Sequence, residues 1–119
     1  MRTPEELRDR TKQFALRVIK LVESLPNTAS ARTIGNQLIR SGTSVGANYR
    51  ACCRARSTAD FIAKLGIVIE EADESAFWME LIIDSQIMKI EMIEPLLNEA
   101  NELVKIFVTS RQTAKQNKK

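Results

Sequence analysis

Apolar side chains recur every three to four residues along nearly the whole chain. Leu7, Phe14, Val18, Leu21 and Leu25 keep helical spacing through the first segment. Thr3-Pro4-Glu5-Glu6 supplies its start, with a Thr cap, Pro in the first turn and Glu three residues after the cap; Pro26-Asn27 ends it. In the second segment Ile34, Leu38, Val45, Tyr49 and Cys52 fall within about 60° when projected at 100° per residue. That stripe passes straight through Ser41-Gly42-Thr43-Ser44, so the small-residue run RSGTSVGANYRACCRAR (40–56) reads as helix, neither loop nor linker. Gly42 and Gly46 inside it cost about 1 kcal/mol each relative to Ala, which predicts a neighbouring element packed close against them. A phosphate-binding loop is excluded by spacing, because no G-x-x-x-x-G-K-[ST] occurs.

Ser57-Thr58-Ala59-Asp60 has the form of a second cap with an acid in the first turn. Phe61, Leu65, Val68, Ile69, Ala72, Ala76, Met79 and Ile83 then make a core stripe. Glu94-Pro95 starts the last helix, where Leu96, Ala100, Leu103 and Phe107 repeat in steps of four and three. No segment alternates with period two, so no strand is expected. The pattern predicts an all-α, antiparallel up-and-down four-helix bundle filling residues 1–111, with helices over about 4–25, 29–54, 58–88 and 95–111. Residues 112–119 are expected to form a basic flexible tail.

Two faces do not fit a solitary bundle. On the third helix Ala63, Ile67, Glu71, Glu74, Trp78 and Leu81 cluster opposite the core stripe. The only tryptophan, with Ile67 and Leu81 among carboxylates, suggests a protein interface; a wide buried helix would give the same pattern. On the second helix Arg40, Ser44, Ala47, Asn48 and Ala51 share one flank, small enough for another helix to approach. Arg40 is placed to pair with Glu71 or Glu74, within the chain or across a subunit boundary.

Composition narrows the chemistry. The 119 residues are 44% hydrophobic and 28% charged, ordinary for one globular domain. No apolar run is long enough to cross a bilayer and the first twenty residues are charged throughout, so a cytoplasmic protein without membrane attachment is expected. Cys52 and Cys53 are adjacent and have no further cysteine to bridge. Histidine is absent, which removes the commonest general base and metal ligand. Glu70, Glu71 and Glu74 lack the Glu-x-x-His partners of di-metal bundle sites, and the cysteines lack an activating base, so no enzyme, metal or cofactor is expected.

Net charge is only +3 but unevenly spread. No acid lies between Glu23 and Asp60, where Arg32, Arg40, Arg50, Arg54 and Arg56 all occur, whereas Glu70 to Glu102 holds ten acids against Lys89 alone. Arg32, Arg50 and Arg54 project within about 40° of one another. With Lys115, Lys118 and Lys119 of the tail they are the candidates for tracking phosphates, against the plainer reading of a solvated face.

The order Q-L-x-R-S-x-x-S-V-x-A-N-Y-R-A, S-x-x-D-F-I-x-K-L and E-x-x-E-S-x-x-W-x-x-L, within residues 37–82, resembles the four-helix-bundle proteins encoded in intervening sequences of bacterial 23S rRNA genes. That family is similar to the basic accessory protein of diversity-generating retroelements. The resemblance implies a bundle that assembles into a homo-oligomeric ring, a pentamer, and carries no activity to transfer. It matches Arg40, Ser44, Asn48 and Arg50 on the second helix, and Phe61, Lys64, Glu71, Glu74 and Trp78 on the third. The chain departs from it at Cys52, where an acid or Ala is frequent, and at Glu70, where Lys is common. The combined expectation is a non-enzymatic oligomer binding structured RNA or DNA through the basic residues above. Arg40, Ser44, Asn48, Ile67, Glu71, Glu74, Trp78 and Leu81 would serve contacts between helices or subunits. The alternative is a protein-protein adaptor without nucleic-acid binding, for example a partner of a reverse transcriptase.

Overall fold

The Thr3 hydroxyl accepts the Glu6 N–H at 3.1 Å, and Pro4 follows at the first helical position, so α1 (Pro4–Glu23) starts where its capping chemistry dictates. Thr28 and Ser57 act in the same way for α2 (Ala29–Cys52) and α3 (Thr58–Asp84), accepting from Ala31 and Asp60. In the computed structural model, which describes residues 2–117, a single 3-10 turn at Ile90–Met92 leads into α4 (Glu94–Asn117). Among the described residues there is no strand.

The helix ends differ from the expected ones in an instructive way. α1 and α2 each stop two residues early, and α3 ends at Asp84 rather than near 88. There Ser85 caps the helix, Gln86 takes a left-handed conformation (φ 61°), and the Ile87 N–H reaches back to the Ile82 carbonyl. No glycine or proline marks that stop, so periodicity alone overran it. α4 is the opposite case. It continues through Asn117, so residues 112–117, expected to be a flexible tail, are helical.

Successive helices pack side by side and antiparallel into a rod of 51 × 20 × 20 Å. Its centre is filled by Phe14, Leu38, Leu65, Met79, Leu103 and Phe107, all essentially sealed from solvent. The glycines of α2 face α1. A Cβ on Gly42 would sit 2.8 Å from both methyls of Val18, and one on Gly46 would touch the Thr11 backbone at 3.4 Å. The close approach at Gly42 offsets the helix-propensity cost of that glycine. Between α2 and α3 the buried Ser75 hydroxyl donates to Ser41 at 2.9 Å. Of the four neighbouring helix pairs α1 and α4 touch least; a bidentate pair joins them, Arg10 Nε and Nη2 to Glu99 at 2.7 and 2.8 Å.

Candidate nucleic-acid interface

Antiparallel topology brings the start of α1, the end of α2, the start of α3 and the end of α4 to one end of the rod. Basic residues that are scattered in the chain therefore meet there. Arg8 and Lys12 of α1 face Arg50 and Arg54 of α2 across an open groove floored by Ala15, Thr43, Gly46 and Ala47. The one acid in its lining is Asp9. Gly46 lies on that floor where α2 packs on the Thr11 backbone. Among the described residues none of these four cations is in a salt bridge, in contrast to Arg10, Arg40 and Lys64. Four cations against one carboxylate give the groove a net positive charge.

The sequence-derived stripe is only partly assembled. Arg50 and Arg54 line the groove, but Arg32 does not join them. Eighteen residues of α2 separate Arg32 from Arg50, about 27 Å at 1.5 Å per residue. Arg32 instead donates to the Asn27 side chain at 2.6 Å, at the other end of the rod. Angular projection put the three on one face and ignored their spacing along the axis. Lys115 lies exposed in the last turn of α4, at the basic end; Lys118 and Lys119 lie outside the described residues. Arg8 and Lys12 were missed, since their charges are interleaved with Glu5, Glu6 and Asp9 in the chain and stand out only once α2 packs beside them.

A second polar cluster spans α2 and α3 near mid-rod. Arg40 donates to Glu71 at 3.1 Å and also to Glu74, and the Trp78 indole N–H donates to the same Glu74 oxygen at 3.0 Å. The pairing is therefore made within one chain. Ser44 and Asn48 donate to the carbonyls of Arg40 and Ser44 one turn earlier. Beside them Ala47 and Ala51 are exposed, so no helix of the same chain covers that small-residue flank.

Trp78 is not the exposed anchor that the pattern suggested. It is half-buried against the core of its own chain, and Leu81 is also half-buried. The large apolar side chains that α3 does leave in solvent are Ile67 (45% exposed) and Phe77 (50%), with the Phe77 ring edge-on to Trp78 at 5.1 Å between centroids. Phe77 escaped the sequence reading because it lies between the two projected stripes.

A family model described as "23S rRNA-intervening sequence protein" matches residues 6–109. The chain belongs to that family. A solved structure similar to it is that of a protein with unknown function from the S23 ribosomal protein family of Bacteroides thetaiotaomicron. It is 35% identical, with a TM-score of 0.85, over 92% of this chain and 97% of that one. No curated protein matches.

In this member of the family the two cysteines have different surroundings. Cys52 is sealed, its sulfur 3.6 Å from the Phe61 carbonyl, and burial pushes its thiol up to about 11, with Cys53 adding to the shift. Cys53 is half-buried and lines the basic groove. Among the described residues no group of His, Cys, Asp and Glu is arranged to hold a metal ion, and no helix is long and apolar enough to cross a membrane.

Proposed function

We propose that this member of the 23S rRNA-intervening sequence protein family is a non-enzymatic binding protein that grips structured RNA or DNA. The observation that carries the reading is the convergence of Arg8, Lys12, Arg50 and Arg54, none in a salt bridge among the described residues, on one groove lined by a single acid. The mechanism is electrostatic: each phosphate engaged releases counterions, and contacts to phosphates carry no base preference. Assembly of several copies into a ring, a pentamer by family resemblance, repeats the groove around an axis and turns weak single contacts into a multivalent one. The outer face of α3, with Ile67 and Phe77 in solvent, is the surface that supports such assembly. The same face supports the second reading, an adaptor docking a protein partner such as a polymerase.

Salt separates the two. For nucleic acid, four cations per groove predict that log affinity falls with log salt at a slope of about −3 or steeper, measured by fluorescence anisotropy with a labelled RNA stem-loop. Arg50→Glu with Arg54→Glu is expected to abolish that binding while the fold persists, because both side chains are exposed. Binding unaffected by salt and by the double reversal would overturn the reading.

A further inference from the structure

The basic groove does not stop at the end of the rod. It runs into a second cavity, and Arg8 and Cys53 line both. That cavity, about 950 Å³, has an apolar floor of Leu7, Tyr49 and Phe61, and is walled on one side by Ala114 and Asn117 from the added turns of α4. Arg2 and Arg56 stand on its rim with Glu5 as the acid. The cavity is open to solvent, and its lining mixes these apolar side chains with polar and charged ones.

One group in it lacks a strong partner. Tyr49 is 4% exposed, and its ring packs on Phe107 at 5.0 Å. Burial pushes the Tyr49 phenol upward, and the Cys53 thiol, a weak hydrogen-bonding group, adds to the shift. Tyr49 is part of the cavity lining, beside Cys53 and Arg8. A nearly buried phenol at the floor of an arginine-rimmed cavity is suited to a ligand with a flat apolar body, a polar edge and an anionic link.

We infer that the end cavity receives an unpaired nucleotide of the nucleic acid whose phosphates run along the groove. The inference rests on the nucleic-acid reading above. The base edge meets the Tyr49 hydroxyl, the base lies among Leu7 and Phe61, and its phosphate passes Arg8 on the way from the groove, with Arg56 at the rim. The protein then prefers a stem that continues into single strand over a blunt one.

The test compares a labelled blunt RNA stem with the same stem bearing a short oligo-uridine flank at either end, by anisotropy at one salt concentration. One accommodated base is expected to tighten binding about tenfold for at least one flank. Tyr49→Phe, which removes one oxygen, is expected to lower that preference about fivefold and leave blunt-stem binding unchanged, after circular dichroism confirms its fold. Arg56→Gln, at an exposed position, is a second variant expected to lower the preference several-fold. Equal affinity for blunt and flanked stems, or a preference that survives both variants, overturns the inference and leaves the groove reading standing. Failure to bind either stem overturns both.

Discussion

Arg40 is the residue where charge, packing and assembly are easiest to confuse. Its side chain is 48% exposed, but its partners Glu71 and Glu74 are 16% and 33% exposed, and Glu74 also holds the Trp78 indole. A partly exposed network of this kind is worth about 1 kcal/mol, whereas the lone exposed contact of Arg32 with Asn27 is worth close to nothing. Arg40→Ala is therefore expected to lower the urea midpoint clearly more than Arg32→Ala; equal midpoints would show the cluster to be idle. Chemistry of a second kind is legible at Cys52. Burial raises its thiol from the ordinary 9.0 to about 11, and burial moves the Tyr49 phenol upward as well. Folding thus favours the protonated thiol. Its contribution is complete below about pH 9 and is lost as pH climbs toward 11, because the unfolded chain releases its proton first. Melting temperatures are expected to fall across that window, and less steeply in Cys52→Ala than in the wild type; parallel curves would count against it.

Among the elements, α2 was the hardest to read and is the most informative. Its helical period was plain in Ile34, Leu38, Val45, Tyr49 and Cys52, and four of these five are buried. What the period could not say is which neighbour its small residues serve. Gly42 and Gly46 serve α1, while Ala47 and Ala51 face solvent. Gly42→Ala is expected to destabilise by about 1–3 kcal/mol despite the better helix propensity of Ala, because the new Cβ drives Val18 out of a full core. Gly66 is the control. A Cβ there meets nothing nearer than Arg111 at 4.0 Å, so Gly66→Ala is expected to stabilise by about 0.5–1 kcal/mol. Chemical denaturation of the pair reads both signs at once. The ends of α3 and α4 differ from the expected ones because Gln86 ends a helix without glycine, and because the polar run 112–117, mostly exposed, holds no Gly or Pro to stop the helix.

At the scale of the whole molecule, the rod carries Arg8, Arg50 and Arg54 at one end and an apolar, acid-flanked strip along α3. If the strip holding Ile67 and Phe77 is covered by another copy, native mass spectrometry gives a defined multiple of the chain mass. Phe77→Asp then shifts it to a folded monomer and weakens stem-loop binding through lost multivalency. A monomeric wild type would remove assembly from the account and leave the single groove to bind alone.

The chain itself determined the class of structure. Caps at Thr3 and Ser57, apolar period and the absence of alternation are local properties, readable because each depends on residues a few positions apart. The tertiary structure alone decided what those helices bring together. Arg8 and Lys12 join Arg50 and Arg54 only because α1 packs antiparallel to α2, Arg32 is excluded by axial distance, and Trp78 is drawn inward by Glu74 and the core. Angle around a helix is written in one dimension, whereas depth, axial level and neighbour are set by packing across long stretches of chain.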